Sequence, residues 1–297
     1  MPPPGHQIKF NPRPPEPLNP VFMLIDIGPA TLVLRGEKGG KDYRFDRTAV
    51  TARVEAILGE IRECLPVLKQ RAWRIKNTSA LPPVARKMVE AAQAVDAETL
   101  TPMAAVAGAL ADELKEYLKG EGLEFISVNN GGDVAIYNGR QQPVTIGIGD
   151  IQKKSPTPYV LRIERVTAFG VATSGFGGRS FTLGLADTVS VVAPSAPLAD
   201  AAATFICNHT NVEDASVVRR KAAEIDPSTD IPEEWVTVSI GELSSPRVRE
   251  ALAHGQAAAE RLKVEGRISE AVIRLRGKMV TTIAGNENIR LGVKRGN

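Results

Sequence analysis

The sequence predicts an α+β fold, an irregular α/β arrangement of mixed β-sheets packed against helices. Apolar residues recur at helical spacing between about 46 and 118. From Leu123 to Pro194 short β-branched runs alternate with glycine-bearing turns. Helices and strands interleave without the strict alternation of a doubly wound sheet.

Residues 1–20 are proline-rich, and proline cannot donate to a ladder, so this leader is expected to be extended or disordered. VFMLIDIGPATLVLRG then reads as a strand or hairpin turned at Gly28–Pro29. A helix is predicted from about Asp46 to Trp73 on the spacing of Val50, Val54, Ile57, Ile61 and Leu65. Asp46 and Thr48 are its candidate N-caps, and Pro66 ends or kinks it. A second helix runs from Pro82 to about Ala94. A third opens at Thr101-Pro102 and continues through Met103–Leu118. Its first half is nearly all small residues, which lets another backbone or a ligand come close. Its second half is charged and expected at the surface.

EFISVNN, DVAIY, PVTIGIG, YVLRIERV, AFGVAT and TVSVVAP follow as strands, and Leu198 to about Cys207 as a small-residue helix. The stretch from Val217 to Glu242 is mixed and loop-rich, Pro246–Lys263 reads as a surface helix, and AVIRLRGKMVTTIA suggests a late hairpin. With no clear linker after residue 20, one domain is expected over 21–297, either undivided or in two lobes.

Composition bounds the function. A net charge of +3 over 297 residues is too small for a dedicated nucleic-acid binder. Much of the positive excess sits late, from Arg261 to Arg295, and reads as a solvated face and loose tail or as a basic rim for a phosphate-bearing ligand. The two cysteines, Cys64 and Cys207, lack metal or redox spacing and suit free thiols in a reducing cytoplasm. No apolar run is long enough to span a bilayer, so a cytoplasmic location without membrane contact is expected. The small-residue helices suit a homo-oligomer interface as readily as an internal core.

Three segments could carry chemistry. In Ser127–Asp133 the glycines Gly131 and Gly132 either make a hairpin turn or turn freed N–H groups toward a ligand, with Asn130 and Asp133 beside them. In Ala172–Ser180, the residues Thr173, Ser174, Gly175, Gly177, Gly178, Arg179 and Ser180 make either an anion cradle or a flexible loop. Asp200 and Thr204, four apart, share one helix face. They are either hard oxygen ligands for Mg²⁺ or an N-cap with a back-bonded threonine. No HExxH or GxSxG pattern occurs, and the histidines His6, His209 and His254 are scattered.

Taken in order, PMAAVAGA at Pro102–Ala109, NGGD at Asn130–Asp133, TSG at Thr173–Gly175 and ADAAAT at Ala199–Thr204 resemble the ApbE-like superfamily. Its transferase branch moves FMN from FAD to proteins; a second branch shares these four motifs more closely. The resemblance implies a flavin pocket with Mg²⁺ beside a pyrophosphate. Asp200 and Thr204 would ligate the metal with a carbonyl near Ala104. Met103, Asn130, Gly131, Gly132, Asp133 and the Thr173–Gly178 loop would line the pocket. Where the transferases carry a lysine in the third helix this chain has Ala107, and RSFTLGLAD replaces their histidine-isoleucine-aspartate-proline element. Arg179 stands where the second branch often has histidine.

The leading expectation is thus a metal-assisted ApbE-like enzyme or flavin-binding protein of small-molecule metabolism. Asp187, Arg179 and Ser180 are its candidate catalytic residues. A non-catalytic binding protein that kept the pocket stays open. So does a hydrolase-type enzyme for a small anionic ring, with Asp187 or Asp133 as base.

Overall fold

Alternating apolar residues pair first into a hairpin. The computed structural model describes residues 21–153 and 155–294, so the leader expected over 1–20 lies outside the described residues. β1 (Met23–Ile27) and β2 (Ala30–Lys38) turn at Gly28–Pro29 as predicted, Gly28 taking φ 54°, and β3 (Lys41–Asp42) adds to β2. α1 (Arg47–Leu68) starts at Asp46, whose side chain accepts the N–H groups of Thr48 and Ala49. Pro66 sits in its last turn. α2 (Pro83–Asp96) carries Pro83 in its first turn, where no intrahelical donor is lost.

The third helix departs from expectation twice. Pro102–Ala105 forms a separate 3₁₀ turn, and the α-helix α3 (Val106–Lys119) begins only after Ala105, at φ −120° and ψ 10°. Its charged half is not at the surface: Asp112, Glu113 and Lys115 are buried. Asp112 binds Lys115 at 2.6 Å and Lys87 at 2.9 Å, and Glu113 binds Arg53 at 2.9 Å. Mutual pairing across α1, α2 and α3 is what admits these charges to the interior.

The strand run follows as β4 (Phe125–Asn130), β5 (Asp133–Asn138), β6 (Val144–Asp150), β7 (Ser155–Ile163), β8 (Ala168–Ser174) and β9 (Thr188–Ala193). α4 (Ala196–His209), β10 (Val217–Lys221), the short α5 (Ala222–Ile225), β11 (Trp235–Ile240) and α6 (Ser245–Val264) come next, then β12 (Glu270–Leu275), β13 (Lys278–Thr281) and β14 (Ile289–Val293). The tail read as loose from its basic residues instead pairs Ile289–Val293 with β7.

Every described strand pair is antiparallel. The large sheet runs β1-β2-β4-β5-β8-β9-β12-β13 with β3 beside β2, and a small sheet runs β14-β7-β6. Period-two side chains give the large sheet two apolar faces. Ile126, Val128, Ala172, Val189 and Ile273 pack beneath the helices, while Ile136, Phe169, Val171 and Val272 meet Ile148, Leu161 and Ile163 of the small sheet. The result is an α+β fold of helices, large sheet and small sheet. Among the described residues no helix is long and apolar enough to cross a membrane.

Candidate functional site

Two glycines seat the start of α4. A Cβ on Gly108 would lie 2.3 Å from the Ala196 carbonyl oxygen, and one on Gly170 would lie 2.3 Å from the Ala196 nitrogen. α4 is thereby wedged between α3 and β8. Ser195 is the N-cap of α4, so Asp200 lies in its second turn and does not cap its own helix. Its carboxylate instead accepts the Gly108 N–H of α3 at 2.9 Å, with the Ala107 N–H contributing. The first turn of α3 holds no acid of its own, and its N-terminal dipole favours this borrowed anion.

Thr204 and Asn208 follow Asp200 at successive four-residue steps, and all three line one cavity. Asn208 Oδ1 accepts from Thr182 Oγ1 at 3.1 Å and from the Leu183 N–H at 3.0 Å, tying the loop after β8 to α4. Opposite stands the β4–β5 turn, where Gly131 at φ 65° and Gly132 at φ 116° join Asn130 to Asp133. Asn129 Oδ1 accepts the Gly132 N–H at 2.8 Å, while the Asn130 amide donates to the Ala107 carbonyl at 3.3 Å. Asn130 Oδ1 is buried with no hydrogen-bond partner among the described residues. An orphaned acceptor beside two acids is unusual in a settled interior.

Asp133 accepts the Thr173 N–H at 3.3 Å, and Thr173 Oγ1 lies 3.0 Å from Ser190 Oγ. Burial pushes the Asp133 carboxyl up, against the opposing pull of the Thr173 N–H and of Arg179. Burial, and next the charge of Asp133, push Asp200 well up as well. Both acids keep some surface, but it faces the cavity. Neighbouring carboxyls disfavour joint ionisation.

Arg179 closes the rim. Its guanidinium donates to the Pro29 carbonyl at 3.2 Å and the Asn130 carbonyl at 3.4 Å. It lies on Gly131 so closely that a Cβ there would be 1.3 Å from Nη2. Gly175 is backed by the Asp187 carbonyl, whose oxygen would stand 2.5 Å from a Cβ at that position, and this close approach fixes the root of the loop.

These elements enclose a cavity of about 1330 Å³, larger than most drug-sized pockets. Met103 and Ala104 reach it from the 3₁₀ turn, and Asn130, Gly131, Gly132 and Asp133 from the β4–β5 turn. Thr173, Ser174, Gly175, Gly177, Gly178, Arg179 and Ser180 line it along the β8 end. Asp187 does not join them: its carboxylate accepts the Arg276 N–H at 2.6 Å, at the β12–β13 turn. The expected catalytic trio is therefore split, with Arg179 and Ser180 on the rim and Asp187, just before β9, turning its carboxylate to the β12–β13 turn. Ser190, Phe205 and Asn208 also line the cavity and carry no sequence signal of their own except the last, while His209, one of the scattered histidines, lines it from the end of α4. The step from Asp200 through Thr204 to Asn208 was the legible signal for one of them.

A family model described as AbpE bacteria matches residues 21–281. The chain belongs to that family. This AbpE family member is 36% identical to a UPF0280 protein of Methanosarcina barkeri over 137 residues, 46% of this chain and 52% of that one. It is 37% identical to a UPF0280 protein of Methanopyrus kandleri over 152 residues, 50% of this chain and 58% of that one. The AbpE chain thus spans about half the length of the curated relatives it matches. Among solved structures, it is similar to the Flavin Transferase ApbE from Vibrio cholerae, at 13% identity and a TM-score of 0.44, covering 93% of this chain and 97% of that chain. The apbe protein from Thermotoga maritima gives 13% identity and a TM-score of 0.47, covering 89% and 97%.

Proposed function

We propose that this AbpE family chain binds a phosphate-bearing, flavin-type ligand over a Mg²⁺ ion held between Asp133 and Asp200. The observation that carries this reading is that Asp133 and Asp200, each held by a backbone N–H, line one cavity together with Asn130, whose Oδ1 is buried and without a partner among the described residues. Among the described residues no group of three or more His, Cys, Asp or Glu gathers. A cation here would take two carboxylates and neutral oxygens, with Thr204 at hand on the same helix face. Such an all-oxygen set fits a hard divalent ion that keeps part of its water shell. When bound, the ion would offset phosphate charge above the two acids.

The chain's own groups do the remaining work. The Gly108 and Thr173 N–H groups hold the two acids in place. The cavity walls would surround the ligand on the sides formed by the 3₁₀ turn, the β4–β5 turn and the β8 end. The resemblance to flavin-handling proteins supplies the ligand class. Flavinyl transfer itself is not part of the proposal, because the transferases' lysine and histidine are replaced here.

Calorimetry with Mg²⁺ tests the floor directly. Asp200→Asn and Asp133→Asn should each weaken Mg²⁺ by about tenfold or more, about 1.4 kcal/mol. In metal-free buffer both should hold or gain stability, because each removes a carboxyl whose charged form burial disfavours. If Asp200 serves only as a cap for α3, its loss should cost about 1 kcal/mol of stability and leave Mg²⁺ affinity alone. FAD titrations followed by visible absorbance should tighten with Mg²⁺ in the wild type. Equal FAD affinity with and without the ion would overturn the reading.

A further inference from the structure

We infer that Arg179 is a movable anion clamp, parked on Gly131 and able to swing from two backbone carbonyls onto a phosphate-type group at the cavity mouth. The inference rests on the reading of the floor as the place where a phosphate-bearing ligand sits.

Four features of Arg179 point this way. It is exposed, and among the described residues it makes no salt bridge, so its charge has no fixed partner. Both of its acceptors are neutral carbonyls, at 3.2 Å and 3.4 Å, the long end of hydrogen bonding. A guanidinium has five donors, and most of these remain free for an oxygen pair. Its place in the chain follows Gly177, at φ 82°, and Gly178, which leave the loop little side-chain anchorage.

The parking place is equally specific. Gly131 is the only residue type that leaves room for Nη2 where its own Cβ would stand. From there the guanidinium bridges the β1–β2 turn, through Pro29, and the β4–β5 turn, through Asn130. Arg179 lines the same cavity as Asp133 and Asp200. An anion arriving above those acids therefore meets one cation at the rim that needs to break only two weak contacts to engage it. Arg53, by contrast, is held by the Glu113 carboxylate at 2.9 Å.

Inorganic pyrophosphate is the probe, titrated by calorimetry into the full chain with and without Mg²⁺. Arg179→Gln should weaken pyrophosphate by tenfold or more. Gly131→Ala puts a methyl where Nη2 rests and evicts the guanidinium, so it should bind pyrophosphate as tightly as wild type or several-fold more tightly. Gly131→Asn repeats the eviction with a residue that tolerates the left-handed backbone, in case alanine impairs folding. The double variant Gly131→Ala with Arg179→Gln should fall to the level of Arg179→Gln alone. The proposal is overturned if Arg179→Gln binds pyrophosphate as wild type does. It is equally overturned if both Gly131 variants fold and lose as much affinity as Arg179→Gln, since the arginine would then work only as a fixed rivet. Titration of Mg²⁺ alone distinguishes failure of the cation site from failure of the clamp. Loss of Mg²⁺ uptake in the wild type would sink the floor reading, whereas the ratio of pyrophosphate affinities among these variants reports on the clamp.

Discussion

The α-carbon of Gly108 faces the carbonyl of Ala196 so closely that a side chain on the former would stand 2.3 Å from the oxygen of the latter. Alanine is the better helix former, and in an open helix the exchange would gain about 1 kcal/mol. Here the neighbour is backbone at the start of α4 and cannot rotate away. Gly108→Ala should therefore destabilise the protein by about 1–3 kcal/mol, the usual range for overpacking. It should also loosen the Asp200 contact, since the Gly108 N–H would move with the helix. Chemical denaturation checks the first effect and Mg²⁺ titration the second; a more stable variant would refute the wedge.

Asp112 supplies a pH signature remote from the cavity. Burial raises its proton affinity, but Lys115 first and Lys87 next, with their hydrogen bonds, outweigh this and leave its pKa below the ordinary carboxylate value. A carboxyl depressed in the folded state adds stability that is fully present above the unfolded pKa, about 3.9, and is lost as pH falls through the folded value. Asp112→Asn also leaves buried Lys115 short of a counter-charge, so it should cost about 3 kcal/mol at pH 7. That difference from wild type should shrink below about pH 4. Melting curves from pH 7 to pH 2.5 measure it, and a difference that stays constant across this range would disprove the linkage.

The two cysteines should behave as unequal free thiols. Cys207 is buried, and burial pushes its thiol up to about 11 despite hydrogen bonds from Thr182, Ser174 and Thr210. At pH 8 its thiolate fraction is roughly one in a thousand, and the thiolate is the reactive form. Cys64 is only half-buried, with burial and the acids Glu63 and Glu60 raising its pKa. Iodoacetamide should modify Cys64 first, and Cys207 only in denaturant. Fast native labelling of Cys207 would show that α4 opens readily.

Much of the fold was legible because its signals are local. The Gly28–Pro29 hairpin, the Asp46 cap and the alternating strands follow from turn chemistry and period-two apolarity. What escaped was set by distant partners. Asp112, Glu113 and Lys115 read as solvated until α1 and α2 bring Arg53 and Lys87 against them. β14 looked like a basic tail because its pairing with β7 spans more than a hundred residues. In the candidate site, the glycine turn at 131–132 and the helix face of Asp200 and Thr204 could be read in order. The meeting of Asp133 with Asp200 could not, since it depends on how β5 and α4 pack. Asp187, a candidate base by residue type, sits just before β9 and gives its carboxylate to the Arg276 N–H of the β12–β13 turn, a pairing between distant segments.

The two floor acids are held by peptide N–H groups, those of Gly108 and Thr173, and not by side chains. Every residue but proline supplies that donor. Replacement of the surrounding side chains can therefore alter what fits above the acids without moving the acids themselves. The rim is free to diversify, because the hydrogen bonds of Arg179 go to backbone carbonyls and no carboxylate is salt-bridged to it among the described residues. A scaffold with these two properties can change its guest over evolutionary time while keeping the same electrical floor.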